Sequence, residues 1–211
     1  MLEAVEAVYG VAWDAGADPI ADVGPHGKTD RQIVREMLVP RGLDAAAIEA
    51  GFAEFERVAA ERHSASRDEL LDAGERERTA TALDGLAAAG HTLALLTGNL
   101  EPIARHKMDL AGLGGYFARG QGAFGSDAEK RPELVPIARG RAAAPDGRPH
   151  PADDTVVIGD TPLDVAAAHA GGVRAIGVAG TRFTRADLLE SGADAAVDEL
   201  DEVERVLAAW S

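Results

Sequence analysis

Val156-Val157-Ile158-Gly159-Asp160-Thr161-Pro162-Leu163-Asp164, followed by the small-residue run 165–172, is the stretch on which the fold of this chain turns. A β-branched apolar run of strand length breaks at a glycine, and two carboxylates four residues apart fall where a helix begins. Ligands of open α/β sheets bind beyond the carboxyl ends of buried strands. Asp160 and Asp164 at such a place suit a hard divalent cation, Mg²⁺ above all, held through oxygen ligands. The competing reading is purely local: Asp160 caps the helix and Asp164 faces its first turn.

Composition sets the limits around this motif. The 211 residues suffice for one sizeable domain, or for a core domain with a smaller appendage. Hydrophobic residues make up 46% and charged residues 27%, as in ordinary globular chains, while aromatics at 4% predict a core of Val, Leu, Ile and Ala. Thirty-six acids against 21 Lys and Arg leave a net charge of -15. Such a surface repels nucleic acid and anionic membranes, which reward clustered cations. With no cysteine, disulfides, thiolate catalysis and Cys-based zinc sites are excluded. The opening residues alternate acids with helically spaced apolar residues and carry no export signal. No apolar run approaches the roughly 20 residues that span a bilayer. A cytoplasmic protein is the expectation, and its oligomeric state is left open.

The pattern changes character between residues 78 and 84. Residues 2–9, 30–39, 44–61 and 66–72 have three-to-four apolar spacing, and nothing before residue 79 reads as a strand. From residue 79 helical and strand patterns alternate, which predicts a parallel sheet with helices on both faces. The expected division is therefore 1–79, helical, and 80–211, α/β. In the second part the spacing predicts helices over 80–89, 101–111, 132–143, 163–171, 184–191 and 199–209. Strands are expected over 92–96, 155–158, 173–178 and 194–197, with a short extended piece at 116–123. The Pro-, Gly- and Asp-rich stretch 145–154 reads as a loop.

Two further segments carry chemistry. Leu93-Ala94-Leu95-Leu96-Thr97-Gly98-Asn99 is a strand ending in a hydroxyl residue, then glycine and a helix start. Thr97 with the N–H groups of Gly98 and Asn99 suits a phosphate, although a Thr cap on the next helix gives the same pattern. Lys130-Arg131-Pro132 places cations just ahead of a helix, where the helix dipole disfavours them. Either side chain is suited to neutralise a phosphoryl group held between Thr97 and Asp160, and a solvated surface role is the alternative. Gly120-Gln121-Gly122-Ala123-Phe124-Gly125 has the spacing of a dinucleotide fingerprint, but Pro132 starts the following helix too late for that use. The six histidines lack ligand spacing; only His26, near Lys28 in a glycine-flanked loop, reads as a substrate contact.

Taken in order, these segments resemble the haloacid dehalogenase-like hydrolase superfamily, especially its phosphoglycolate phosphatase-like members, over nearly the whole chain. The segment Gly159 to Asp164 resembles the family's fourth motif, which implies that Asp160 and Asp164 bind or orient Mg²⁺. Thr97 matches the second motif, whose hydroxyl holds the transferring phosphoryl group, and Lys130 or Arg131 matches the third. Residues 1–79 resemble the inserted helical cap, with Gly27-Lys28-Thr29-Asp30 where caps contact substrate. The fold so implied is a doubly wound, Rossmann-like parallel sheet with an α-helical cap. The function implied is Mg²⁺-dependent hydrolysis of a small phosphorylated metabolite through an aspartyl-phosphate.

One family element is not found. The first motif, two aspartates separated by one residue after a strand, supplies the attacking and protonating groups, and no such pair occurs in these 211 residues. The expectation is that a short upstream segment with the first core strand is missing, that two strands lack a ladder partner, and that the chain as given is nearly inactive. A catalytically dead member that binds a phosphorylated ligand or a protein partner is the alternative from another class. A 2-haloacid dehalogenase-like enzyme needs no Mg²⁺, so the acids at 160 and 164 speak against it. A receiver-like signalling domain fits poorly with the long helical amino-terminal part.

Overall fold

The computed structural model describes residues 1–65, 72–142 and 147–210. Its first 65 residues are helical wherever they are regular. The helices are α1 (Leu2–Tyr9), α2 (Pro19–Asp22), α3 (Asp30–Leu38) and α4 (Ala45–Ser64). Their starts are set locally: Thr29 accepts from the Gln32 N–H at 3.1 Å, and Asp44 accepts from the Ala47 N–H at 2.7 Å. Ile33, Val34, Met37 and Leu38 of α3 meet Ile48, Phe52, Phe55 and Ala59 of α4, with Ala4 and Val5 of α1 between them. Both stripes repeat every three or four residues, so each helix has one apolar face to bury. Leu100, from the second half of the chain, completes this cluster. The short α2 was not legible in the spacing; it exists because Asp18 caps it and Pro19 starts it.

The second half begins with α5 (Ala73–Ala88), and continues through α6 (Glu101–Leu110) and α7 (Leu134–Arg141). Then come β1 (Val156–Gly159), α8 (Pro162–Ala170), β2 (Arg174–Val178), α9 (Arg185–Glu190), β3 (Ala195–Val197) and α10 (Val203–Trp210). The sheet has the order β1-β2-β3 and is parallel throughout, with Ile158 opposite Ile176 and Ile176 opposite Ala195. Alternation along the strands sends Val157 and Ala175 to one face, against Val135 of α7 and Val165 and Ala168 of α8. Val156 and Ile176 point the other way, against Leu86 of α5 and Val203 of α10. This is the expected α/β architecture, a parallel sheet covered on both faces by helices.

Several boundaries differ from expectation. Helix α5 begins at Ala73 rather than 80, because Asp72 and Glu75 form a capping box, so one helix runs across the division expected at 79–80. Its Leu83 and Leu86 are buried in the second half of the molecule. Of the helix expected over 66–72, residues 66–71 lie outside the described residues, as do 143, at the end of the helix expected over 132–143, and 145 and 146 of the loop. That helix opens instead as a 3-10 turn over Arg131–Glu133 before α7.

The stretch 92–96 is not a ladder strand. Its pairing is one parallel bridge, Leu96 to Ala123, closed by Thr97 N–H to Ala123 O at 3.1 Å and Ala123 N–H to Leu95 O at 2.8 Å. Among the described residues nothing pairs with the other edge of this stretch, and β1 has a ladder partner only in β2. Leu96 and Val157 nevertheless share one hydrophobic layer, and Leu93 and Val156 the other. Among the described residues no helix is long and apolar enough to cross a membrane.

Candidate active site

Three chain segments meet where α3 and α6 begin. Gly98 is pressed so closely on the turn before α3 that a Cβ would collide with the Lys28 carbonyl, and a Cβ on Gly125 would collide with the Gly98 carbonyl. The glycines of the 120–125 stretch therefore serve backbone contact: Gly122 has φ of 90° and lies against the Leu95 carbonyl. Hydrogen bonds lock the three segments together. Asp30 N–H donates to Gly98 O at 2.7 Å, Gly125 N–H to Asn99 O at 2.8 Å, and the Thr29 hydroxyl to Glu129 O at 2.5 Å.

A cavity of about 350 Å³ opens at this junction. Of the residues expected from the sequence, Thr97, Gly98, Asn99, Arg131, His26 and Lys28 all line it. Lys130 does not; it is exposed, while the Arg131 side chain is only 16% exposed. Lys28 is held by its own helical neighbourhood, donating to Val23 O and Glu36 Oε2, each at 2.5 Å. Burial pushes the Glu36 carboxyl up, but its bonds from Lys28 and Gln32 outweigh that and hold it below the usual range.

The start of α6 offers fewer free donors than its sequence promised. Asn99 N–H is taken by Thr97 Oγ1 at 3.2 Å, Leu100 N–H by Asp30 Oδ2 at 2.8 Å, and Glu101 N–H by the Ser126 hydroxyl at 2.8 Å. Gly98 N–H donates to no described residue. On the opposite wall Arg131 donates to Gly27 O at 3.3 Å and forms an ion pair with Asp164. Its Nε is buried with no hydrogen-bond partner among the described residues. Thr97, Gly98, whose N–H is unclaimed among the described residues, and the Arg131 guanidinium therefore border one cavity, a donor set suited to a tetrahedral oxyanion.

Asp160 and Asp164 stand at the carboxyl end of β1 but do not line this cavity. Asp164 is 5% exposed and its oxygens are engaged: Oδ2 accepts from the Thr161 N–H at 3.1 Å and hydroxyl at 2.7 Å, and Oδ1 faces Arg131. Gly159 is needed here, because a Cβ would overlap the Asp164 carboxylate. Asp160 is exposed. Among the described residues no group of three or more acidic or imidazole side chains makes a metal cage. Mg²⁺ keeps several waters and commonly takes one or two carboxylates plus phosphate oxygens; Asp164 is committed to Thr161 and Arg131, which leaves the exposed Asp160 as the carboxylate of the two that is open to solvent.

The family model for haloacid dehalogenase-like hydrolases matches residues 15–169. The chain belongs to the haloacid dehalogenase-like hydrolase family. Solved structures with the same fold include a phosphonoacetaldehyde hydrolase-like protein from Oleispira antarctica, with 15% identity, TM-score 0.63, and 99% of this chain and 85% of that one covered. A HAD hydrolase, family IA, variant 3, from Entamoeba histolytica has 14% identity, TM-score 0.60, and 95% and 84% coverage. A Thermotoga maritima protein described as a beta-phosphoglucomutase has 22% identity, TM-score 0.51, and 99% and 90% coverage. At these identities the likeness is one of fold. No curated protein matches the chain.

Within this haloacid dehalogenase-like hydrolase, sequence reasoning missed Ser126 and Gly125, which shape the site from outside the cavity, and the role of Asp30, whose segment it had placed at a substrate contact and which lines the cavity. Asp30 follows a Thr cap and reads as a first-turn acid complementing the helix dipole. It is instead 5% exposed, and burial pushes its carboxyl up, opposed by the Leu100 N–H and by the charges of Lys107 and the chain's amino group. Nothing local distinguishes the two situations.

Proposed function

We propose that the site binds the phosphoryl group of a small phosphorylated metabolite and belongs to a Mg²⁺-dependent phosphomonoester hydrolase. The observation that carries this reading is the meeting of Thr97, of Gly98, whose N–H is unclaimed among the described residues, and of the Arg131 guanidinium at one cavity. In this reading Thr97 and Gly98 donate to phosphoryl oxygens, and Arg131 balances their charge as it grows in the transition state. Asp160 is the protein ligand of Mg²⁺, which when bound supplies charge neutralisation at the phosphoryl oxygens. Asp164 holds Arg131 and the turn at Thr161 in place. His26 and Lys28 face the substrate's remaining part from the turn before α3, and the domain reading of residues 1–79 as a cap rests on that placement.

The 211 residues contain no aspartate pair separated by one residue, so the reading assigns phosphate and metal binding to this chain and almost no turnover. That same observation favours a second reading, a member that binds a phosphorylated ligand without hydrolysing it. Titration calorimetry with inorganic phosphate, with and without Mg²⁺, tests the common ground. Phosphate should bind more tightly with Mg²⁺ present, and Thr97→Val and Arg131→Leu should each weaken it about tenfold or more, as expected for a lost bond to a charged group. Phosphate affinity indifferent to both substitutions would sink both readings. Release of phosphate from p-nitrophenyl phosphate by the 211-residue chain would exclude the non-hydrolysing reading and would also overturn the assignment of almost no turnover to this chain.

A further inference from the structure

Three of the four N–H groups of residues 98–101 are claimed by the protein, and one claim comes from far away in the chain. Asp30 lies 70 residues from Leu100, on α3, yet its Oδ2 accepts from the Leu100 N–H at 2.8 Å. The Asp30 N–H donates back to Gly98 O at 2.7 Å. One residue thus clasps the 98–100 turn at both ends, and the Gly98 backbone sits against Lys28 with no space for a side chain. Asn99 is tethered from the other direction by Lys107 Nζ at 2.8 Å.

Coulomb's law makes this carboxylate costly. A negative charge beside an anion site repels the anion, and inside a protein the repulsion is stronger than in water. Its presence therefore calls for a role that outweighs the repulsion. We propose that Asp30 is a positioning residue for phosphate binding: by capping α6 through Leu100 it holds the 97–100 turn against α3, leaving Gly98 N–H and the Thr97 hydroxyl directed at the phosphoryl group. The partnership is tertiary, since the clasp forms only when α3 is docked on the second half of the chain. Docking of the amino-terminal helices and formation of the phosphate site are then one event. This inference rests on the phosphate-binding reading above.

The two effects of Asp30 have opposite signs, so titration with inorganic phosphate in the presence of Mg²⁺ separates them. Asp30→Ala removes charge and clasp together; affinity should fall about tenfold or more if the clasp dominates. Asp30→Asn keeps an acceptor oxygen and should stay within about threefold of the parent chain. Asp30→Glu keeps the charge but shifts the carboxylate by one methylene, and should lose affinity with the alanine variant; it also supplies the answer if the alanine variant does not fold. Hydrogen exchange at the Leu100 amide gives a reading independent of ligand, with protection kept in Asp30→Asn and lost in Asp30→Glu. Equal or tighter phosphate binding in the Ala and Glu variants would show that the carboxylate only repels, and would overturn the proposal. If Thr97→Val also binds like the parent, the phosphate site itself is elsewhere, and the functional reading falls together with the role of Asp30.

Discussion

Arg131 connects three parts of the molecule: the Gly27 carbonyl, the Asp164 carboxylate and the cavity that Thr97 lines. Its ion pair is buried, with side chains 16% and 6% exposed. Breaking such a pair from one side strands a charge, at a cost of about 3–5 kcal/mol, whereas removing both charges is often nearly neutral. Arg131→Met should therefore lose about 3 kcal/mol in urea unfolding, and Asp164→Asn in the same chain should restore most of it. Fully additive losses would mean that the two side chains are not coupled. Adjacent cations at 130 and 131 look alike in the sequence. The choice of Arg131 follows from a long-range partner, and no local pattern encodes that. Gly27 shows the converse, where one residue carries two constraints: φ of 76° and a Cβ that would strike Leu163.

At the scale of elements, helix starts were legible to within a residue at Thr29, Asp44 and Thr184, but the capped starts at Asp18 and Asp72 were not read, because apolar spacing there is weak. Three of the expected strands form the parallel ladder, and one does not. The run 92–96 has the composition of a strand, yet a strand is defined by its neighbours, and here one bridge to Ala123 is the extent of its pairing among the described residues. The same reasoning exposes β1, whose Ile158 is 37% exposed on a strand with one ladder partner. An unpaired edge with apolar side chains is a template for association. Sedimentation of the 211-residue chain should show mass rising with concentration, and Ile158→Lys should shift the distribution towards the monomer. An unchanged distribution would place association, if present, on another surface.

Across the whole molecule the governing quantity is the net charge of -15. Self-repulsion of this size opposes the compact state, and salt screens it over about 8 Å at physiological ionic strength. The thermal midpoint should therefore rise between about 20 mM and 300 mM sodium chloride, where the screening length shortens several-fold. A midpoint that falls over this range would show that surface ion pairs such as Arg57 with Glu54 and Glu61 outweigh the repulsion. Arrangement of the charges, not their sum, sets the outcome, and the arrangement is a property of the folded surface.

The chain's own residues determined the class of fold, most helix starts, the parallel sheet and the family, because periodicity, capping and motif order are local properties that survive without a partner. Three things were left to tertiary structure: which cation faces the cavity, which N–H groups remain free, and that Asp30 spends its charge on Leu100. Each depends on groups tens of residues apart arriving within hydrogen-bond distance, and the energy that selects among such pairings comes from burial and exclusion of water, which exist only once the halves have packed.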